Sequence, residues 1–442
     1  MANKFNISGI SKTLHQECEQ FDLYYANSNN ESISFENNKL FMFENNYSSG
    51  LGLRIFKNGR VGFSFTTNPE KIKQTINYAI ASANFGEKLN LELPMKQKIK
   101  KNTIKMYDEK IENLDLKQFI EFGNRIIKKL NKYIPNSMVS LSFGKSWGDS
   151  ILINSNNYKF SEKCSMFDFS VSVVITEKKG ILDIYDGLAS CALINLDKIN
   201  VIVDNIIRRY EQAKKIAAIK SEKYPVIFNK FSIGLLYTSF LQAMNGKIYQ
   251  KGISPLSDKL NKKIVDARFS MYDDPHIDYA LGSAIVDAEG IQTYKKPLIE
   301  DGVFRNFIFD LRSAKLTGNK STGNAERSIS AMPTPSYSNI VVNTGDKPYN
   351  EMIAEIDEGL IVEHTIGAGQ SNVLAGDFSV NVSLGYWIKK GKIVGRVKDC
   401  MIAGNVYDLF NNKINSISKE LFIKSSMRTP AICFNDINIA AK

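Results

Sequence analysis

Asp273 to Arg327 reads DDPHIDYALGSAIVDAEGIQTYKKPLIEDGVFRNFIFDLRSAKLTGNKSTGNAER. Short apolar runs alternate with dense Gly, Asp and Asn, the punctuation of strands joined by tight turns. Working outward, the lysine-rich AKKIAAIKSEKYP ends at Pro225, where a new strand, PVIFN, begins. A domain boundary is therefore expected near residue 222, dividing the chain into 1–221 and 222–442. After it, strands with Gly and Asn turns dominate. Short helices are expected near 231–245, 348–357 and 404–411, and Gly246 is expected to end the first of them in a left-handed conformation.

The first half opens on a candidate helix whose Ile7, Ile10, Leu14 and Phe21 fall largely at helical spacing. Residues 22–66 then alternate in strand fashion, and the Asn58-Gly59 pair marks a two-residue hairpin. Asn68 followed by Pro69 caps a helix running to about Phe85. Further helices are expected over Leu114–Ile134 and Leu196–Ile219, flanking strands near 138–190. The fold class is α+β: an N-terminal domain of antiparallel sheet with helices, and a mostly antiparallel β domain with short helices.

Composition narrows the function classes. With 442 residues, 43% hydrophobic and 23% charged, the chain has the make-up of a globular protein of two domains. The N-terminus lacks the apolar core of a signal peptide, and no run approaches the roughly 18–20 apolar residues of a spanning helix, so a cytosolic protein is expected. Five cysteines, Cys18, Cys164, Cys191, Cys400 and Cys433, include no C-x-x-C pair, which argues against a disulfide framework and a zinc ribbon. The net charge of +11 comes from 46 Lys and 11 Arg scattered along the chain rather than from clustered Arg with aromatics. That pattern argues for solvated faces and against a nucleic-acid groove.

The Asp273–Arg327 block closely resembles the middle of the TldD/PmbA family, the modulators of DNA gyrase, which includes subunits of a cytosolic metallopeptidase. GAGQSNVLAGDFSVNVSLGYWIKKGKIVGRV (Gly367–Val397) and MIAGNVYDLF (Met401–Phe410) resemble the same family in the same order, as does SSGLGLRIFKNGRVGFSFTTN (Ser48–Asn68). In the TldD branch the helix after the PVIF-like strand carries H-E-x-x-x-H, two zinc-binding His and a general-base Glu. In this chain those positions fall on Tyr237, Thr238 and Gln242, none of which replaces its counterpart chemically.

The three histidines, His15, His276 and His364, lie far apart in sequence and supply no local ligand pair. Asp273-Asp274-Pro275 reads as a turn rather than an acid/base pair, and Asp287, Glu289 and Gly290 read likewise. GNKSTG (Gly318–Gly323) and GAGQSN (Gly367–Asn372) lack the order of phosphate-binding loops and are explained by positive-φ turns.

The resemblance implies a PmbA/TldE-like subunit with no catalytic residue or metal of its own, zinc being carried by a TldD-like partner. It implies a cleft that takes unfolded peptide as an added strand. Ser254, Asn324, Asn372, Asp377, Ser379 and Asn405 are the candidates to line that cleft or brace its loops. The alternatives are a stand-alone peptide-binding homodimer and a DNA-associated gyrase modulator.

Overall fold

The structure, a computed structural model, describes residues 5–95, 104–177 and 180–441. Its first sheet is antiparallel and six-stranded, ordered Arg60–Thr66, Lys39–Lys57, Gln20–Glu36, Met138–Asn154, Lys159–Glu177, Gly180–Ser190. Asn58 and Gly59 take φ of 53° and 67°, the geometry of the tight hairpin read from the Asn-Gly pair. Helices Phe119–Tyr133 and Leu196–Ala213 lie on one face. Their Phe122, Ile126, Ile202 and Ile206 pack on Ile33, Phe143 and Phe169. Helices Ile7–Glu17 and Ile72–Ala83 enclose a second core around Leu23, Leu51 and Leu53.

Several helices are shorter than periodicity suggested. The first stops at Glu17, and Phe21 belongs to the strand that follows. The stretch expected as a helix from Leu114 begins with a 3₁₀ turn, Leu116–Gln118, capped by Asp115, and turns α-helical at Phe119. The Leu196 helix ends at Ala213, because Lys215 and Ala217 bond to Arg396 in the second half instead.

In the second half, five strands close into a ring. Lys223–Phe228 pairs with Glu358–Ile366 and Ile432–Ala441; Cys400–Asn405 joins the latter to Asp377–Lys389, which pairs back onto Glu358–Ile366. The Lys223–Phe228 and Glu358–Ile366 pair is parallel. Alternate residues of these strands feed two cores. Val226, Phe228, Leu360 and Phe434 pack with helix Ile233–Ala243, whereas Ile227, Ile361 and Cys433 join the core under the first sheet. Burial on both faces explains why PVIF reads as an unbroken apolar run.

The Asp273–Arg327 block holds less strand than its alternation suggested. Its elements are the end of Met271–Asp273, then Lys296–Glu300, Val303–Phe304, helix Leu311–Thr317 and Ala325–Glu326. Residues 277–288 form turns, because their backbone bonds go singly to scattered partners such as Lys105, Pro275 and Ala325 rather than in a ladder to a neighbouring strand. Gly246 also differs from expectation. It opens a second short helix, Gly246–Gln250, capped by the Asn245 side chain, and is small because a Cβ would meet Ile308 O at 2.5 Å.

The two halves are joined by buried charge. Arg54 Nε donates to Asp22 Oδ2 at 2.6 Å, and its Nη1 donates to Glu289 Oε1 at 2.7 Å. Arg327 Nη1 donates to the other Asp22 oxygen, and Glu289 Oε2 accepts from Leu311 N at 2.7 Å. Asp22, Arg54, Glu289 and Arg327 are all buried. Burial opposes ionisation of Asp22, yet Arg54 and Arg327 hold its carboxyl below the ordinary range. Burial lifts Glu289, with Arg54 pulling the other way. Two positions before Arg54, Gly52 leaves room for the Ile329 carbonyl, which a Cβ would meet at 2.5 Å.

Arg54→Met is expected to lower unfolding stability by about 3–5 kcal/mol, since it leaves the buried Glu289 carboxylate without a cation and Asp22 with Arg327 alone. Arg312→Met, which removes only the half-exposed pair with Glu87, is expected to cost less than about 1 kcal/mol. Urea titration of both variants checks the contrast.

Candidate functional site

Helix Ile233–Ala243 follows strand Lys223–Phe228 through a turn held by Ser232. The Ser232 hydroxyl donates to Val362 O at 2.7 Å and accepts from Asn229 N. At 100° per residue, Leu236, Tyr237 and Phe240 face the core. Tyr237 lies fully buried against Phe269 and Phe410, its hydroxyl 2.7 Å from Thr429 Oγ1. Burial pushes this phenol far above its ordinary pKa, so it stays neutral.

Thr238 and Gln242 share the outer face and are exposed. The Thr238 hydroxyl is spent on Gly234 O at 2.8 Å. A buried neutral phenol, a self-bonded hydroxyl and an amide do not fit a zinc site. Among the described residues, no group of three or more His, Cys, Asp or Glu comes together to hold a metal.

The six cleft candidates separate into three places. Ser254 is buried; its hydroxyl donates to Ala243 O at 2.6 Å and accepts from Leu256 N, bracing the turn after the helix. Asn372, Asp377, Ser379 and Asn405 gather at one exposed corner of the strand ring. There Asn405 Nδ2 donates to Asp377 Oδ1 and Ala375 O at 2.9 Å. Its Oδ1 accepts from Tyr407 N and Asp408 N, capping helix Val406–Asn412. Asn372 accepts from Ala375 N, and Ser379 N bonds to Ser371. These four therefore fasten a corner through local bonds.

Asn324 stands apart. It lines a polar groove of about 430 Å³ with Gly282, Ser283, Asp287, Thr293, Tyr337 and Ser338. Its amide donates to Asp273 Oδ2 at 2.7 Å, and its oxygen accepts from Lys296 at 2.9 Å. Lys296 is buried 3.2 Å from Asp273, and burial lowers its pKa. The adjacent Asp273 and Asp274 thus divide their roles. Asp274 forms the expected turn by accepting from His276 N, while Asp273 anchors a buried triad that sequence reasoning took for part of that turn.

Asp287 does close a turn, accepting from Glu289 N, Ile291 N and Ala325 N. Its carboxyl is pushed up to about 7 by burial and by Glu289, against those backbone donors. Glu289, read as part of the same turn, instead carries the ion pair with Arg54. The glycine-rich loops behave as read, with Gly318, Gly323 and Gly367 at positive φ.

A cluster not legible in the sequence borders a cavity of about 520 Å³, lined in part by Arg208, Arg209, Phe231, Tyr349 and Glu363. Arg209 Nε donates to Glu363 Oε2 at 2.6 Å, and Nη2 meets His364 Nε2 at 2.8 Å. Because Arg209 only donates, His364 is neutral with its proton on Nδ1. The imidazole stacks on Tyr185 at 3.9 Å. Burial, then Arg209 and Lys424, lower its pKa to about 3. The three residues are spread over 155 positions of sequence, and only the adjacency of Glu363 to His364 was visible there.

Residues 221–441 match the family model described as the PmbA/TldA metallopeptidase C-terminal domain, and residues 21–83 match PmbA/TldA metallopeptidase domain 1. The chain is 28% identical over 414 residues to an uncharacterized protein of Methanocaldococcus jannaschii, covering 92% of this chain and 94% of that one. It is 25% identical over 459 residues to a metalloprotease TldD homolog of Buchnera aphidicola, covering 98% and 92%. The crystal structure of TldE from Thermococcus kodakarensis superposes with a TM-score of 0.90 at 26% identity, over 98% of this chain and 100% of that one.

Two measurements check the site. Tyr237→Phe is expected to cost about 1 kcal/mol, the worth of one buried hydrogen bond, without loss of fold; thermal unfolding reads it. His364, depressed from about 6.5 to about 3, adds stability that is complete above about pH 6.5 and is lost as pH falls toward 3. The loss approaches about 1.4 kcal/mol per pH unit. Urea midpoints between pH 7 and 4 are expected to fall less steeply in His364→Gln than in the parent.

Proposed function

We propose, from the premise that the chain belongs to the PmbA/TldD metallopeptidase family, that it is the TldE-like, non-catalytic subunit of a cytosolic peptidase assembly acting on unfolded peptides. The observation that carries this reading is the helix Ile233–Ala243. Where the TldD branch carries its zinc motif, this chain turns Tyr237 into the core and leaves Thr238 and Gln242 as neutral surface. The likeness to TldE over nearly the whole chain supports the same assignment. Metal and general base then belong to a TldD-like partner. This chain supplies walls: the polar groove around Asn324 and Ser338, and the corner fastened by Asn405 and Asp377. Extended peptide binds with little regard for sequence where such walls offer it unpaired backbone N–H and C=O groups.

Purified alone, the chain is expected to hold no stoichiometric zinc and to cleave no unfolded peptide. Captured from its native cell, it is expected to bring down a TldD-like chain, and the pair to show chelator-sensitive cleavage. Chelator-sensitive cleavage by this chain alone would overturn the proposal.

A further inference from the structure

The cavity of about 520 Å³ lies where the two halves meet, and its size is that of a small-molecule site. Helix Leu196–Ala213 of the first half gives it Arg208 and Arg209, and the second half gives it Phe231, Tyr349, Ile393 and Phe422. Arg208 and Asn350 are exposed at its border, so it opens to solvent.

Its charge does not balance. Arg208, Arg209 and Lys230 line it against two carboxylates, Asp186 and Glu363. Both carboxylates are already engaged: Lys230 Nζ donates to the two Asp186 oxygens at 3.0 Å, and Arg209 Nε donates to Glu363 at 2.6 Å. A further cation, Lys424, gathers at Phe231. Arg209 Cζ, Lys230 Nζ and Lys424 Nζ lie 4.4, 4.6 and 5.4 Å from the centre of that one ring. Lys424 donates to Phe231 O at 3.3 Å and, among the described residues, pairs with no carboxylate. Burial lowers its pKa, Asp186 opposes, and Lys230 and Arg209 add to the fall. Arg208 is also without a carboxylate among the described residues, its Nη2 donating to Asn205 Oδ1 at 3.3 Å. Its charge is nevertheless felt inside the cavity: burial lifts the Glu363 carboxyl, while Arg209 and then Arg208 pull it down. Gathered cations in a partly buried site repel one another until an anion joins them.

The rest of the lining is apolar. Tyr349 and Phe422 meet edge to face at 6.0 Å, and Ile353 and Ile393, only partly buried, stand in the same lining. We propose that this cavity binds a small organic anion with a flat aromatic body, its carboxylate held by the Arg208 guanidinium and its ring against Tyr349, Ile393 and Phe422. A guanidinium fork suits a carboxylate, which it meets with two parallel hydrogen bonds. An aromatic ring fits edge-to-face walls better than a flexible chain does, because less rotamer freedom is lost on binding. The inference goes beyond the subunit reading and is independent of it, since its test reads heat of binding rather than cleavage.

The probe is 2-naphthoate, titrated calorimetrically into the purified chain. One molecule per chain is expected to bind, with a Kd of about 1 mM or tighter. The neutral 2-naphthamide, which keeps the ring, and inorganic phosphate, which keeps only the charge, are each expected to bind at least about tenfold more weakly. Arg208→Gln is expected to weaken naphthoate about tenfold and leave naphthamide unchanged, because only the charged contact is lost. Ile393→Trp, which fills the apolar end, is expected to abolish binding of both. The Tm of Arg208→Gln is expected to match the parent, since Arg208 is exposed and makes no ion pair among the described residues. A parent that takes up no naphthoate, naphthamide or phosphate binding as tightly as naphthoate, or naphthoate binding that either substitution leaves unchanged would overturn the proposal.

Discussion

The arrangement of the molecule depends on Arg54 being buried between Asp22 and Glu289. A guanidinium cannot be taken out of water unless its partners are in place, and here one partner lies on each side of the division between the halves. Asp22 comes from the central strand of the first sheet and Glu289 from the turn-rich block, with Arg327 completing the charge on Asp22. Glu289 also accepts from Leu311 N, so the helix that starts there is tied to the same charge. Hydrophobic burial is tolerant of small shifts, whereas these bonds are not. The block is thereby fixed in register against the sheet, with Gly52 letting Ile329 approach.

This explains what the sequence disclosed and what it withheld. Elements governed by local chemistry were legible: the Asn58-Gly59 hairpin, the Asn68 cap with Pro69, and the positive-φ glycines of the two loops. Elements whose backbone bonds are made at long range were not. Residues 277–288 have the composition of a strand, yet their partners are loops more than a hundred positions away as well as nearby turns. Helix ends moved wherever a distant segment took over the bonding, as Arg396 does beyond Ala213. The buried strands of the ring were readable because double burial writes an unbroken apolar run.

Among the candidate site residues, type was easier to read than task. Asn405, Asn372 and Ser254 were named as cleft or loop residues, and their bonds are those of caps and braces. Asp273 and Glu289 show the converse. Beside Pro275 and Gly290 they have the neighbours of turn residues, but each is the anion of a buried ion pair. A carboxylate that caps its own turn and one that neutralises a distant cation are spelled alike. The cluster of Arg209, Glu363 and His364 was invisible for the same reason, since nothing local requires an arginine at 209 to face a glutamate at 363.

The first sheet and the strand ring treat their edges in opposite ways. In the second half five strands close on themselves, with Lys392–Arg396 and Ile414–Ile417 paired outside the closure, and most of the ring's apolar residues are buried in two cores. The first sheet cannot close in this manner. Its strands are long, and helices cover one face with Ile33, Phe143 and Phe169 beneath them, while Ser142 and Ser170 on the other face bond to each other in solvent. Its far edge is capped by Arg60–Thr66 only over residues 51–57, the span that carries Arg54 and packs against the second half. The register that buries Arg54 therefore also determines where cover ends, and residues 39–48 are what remains of the edge once the ion pair has been placed.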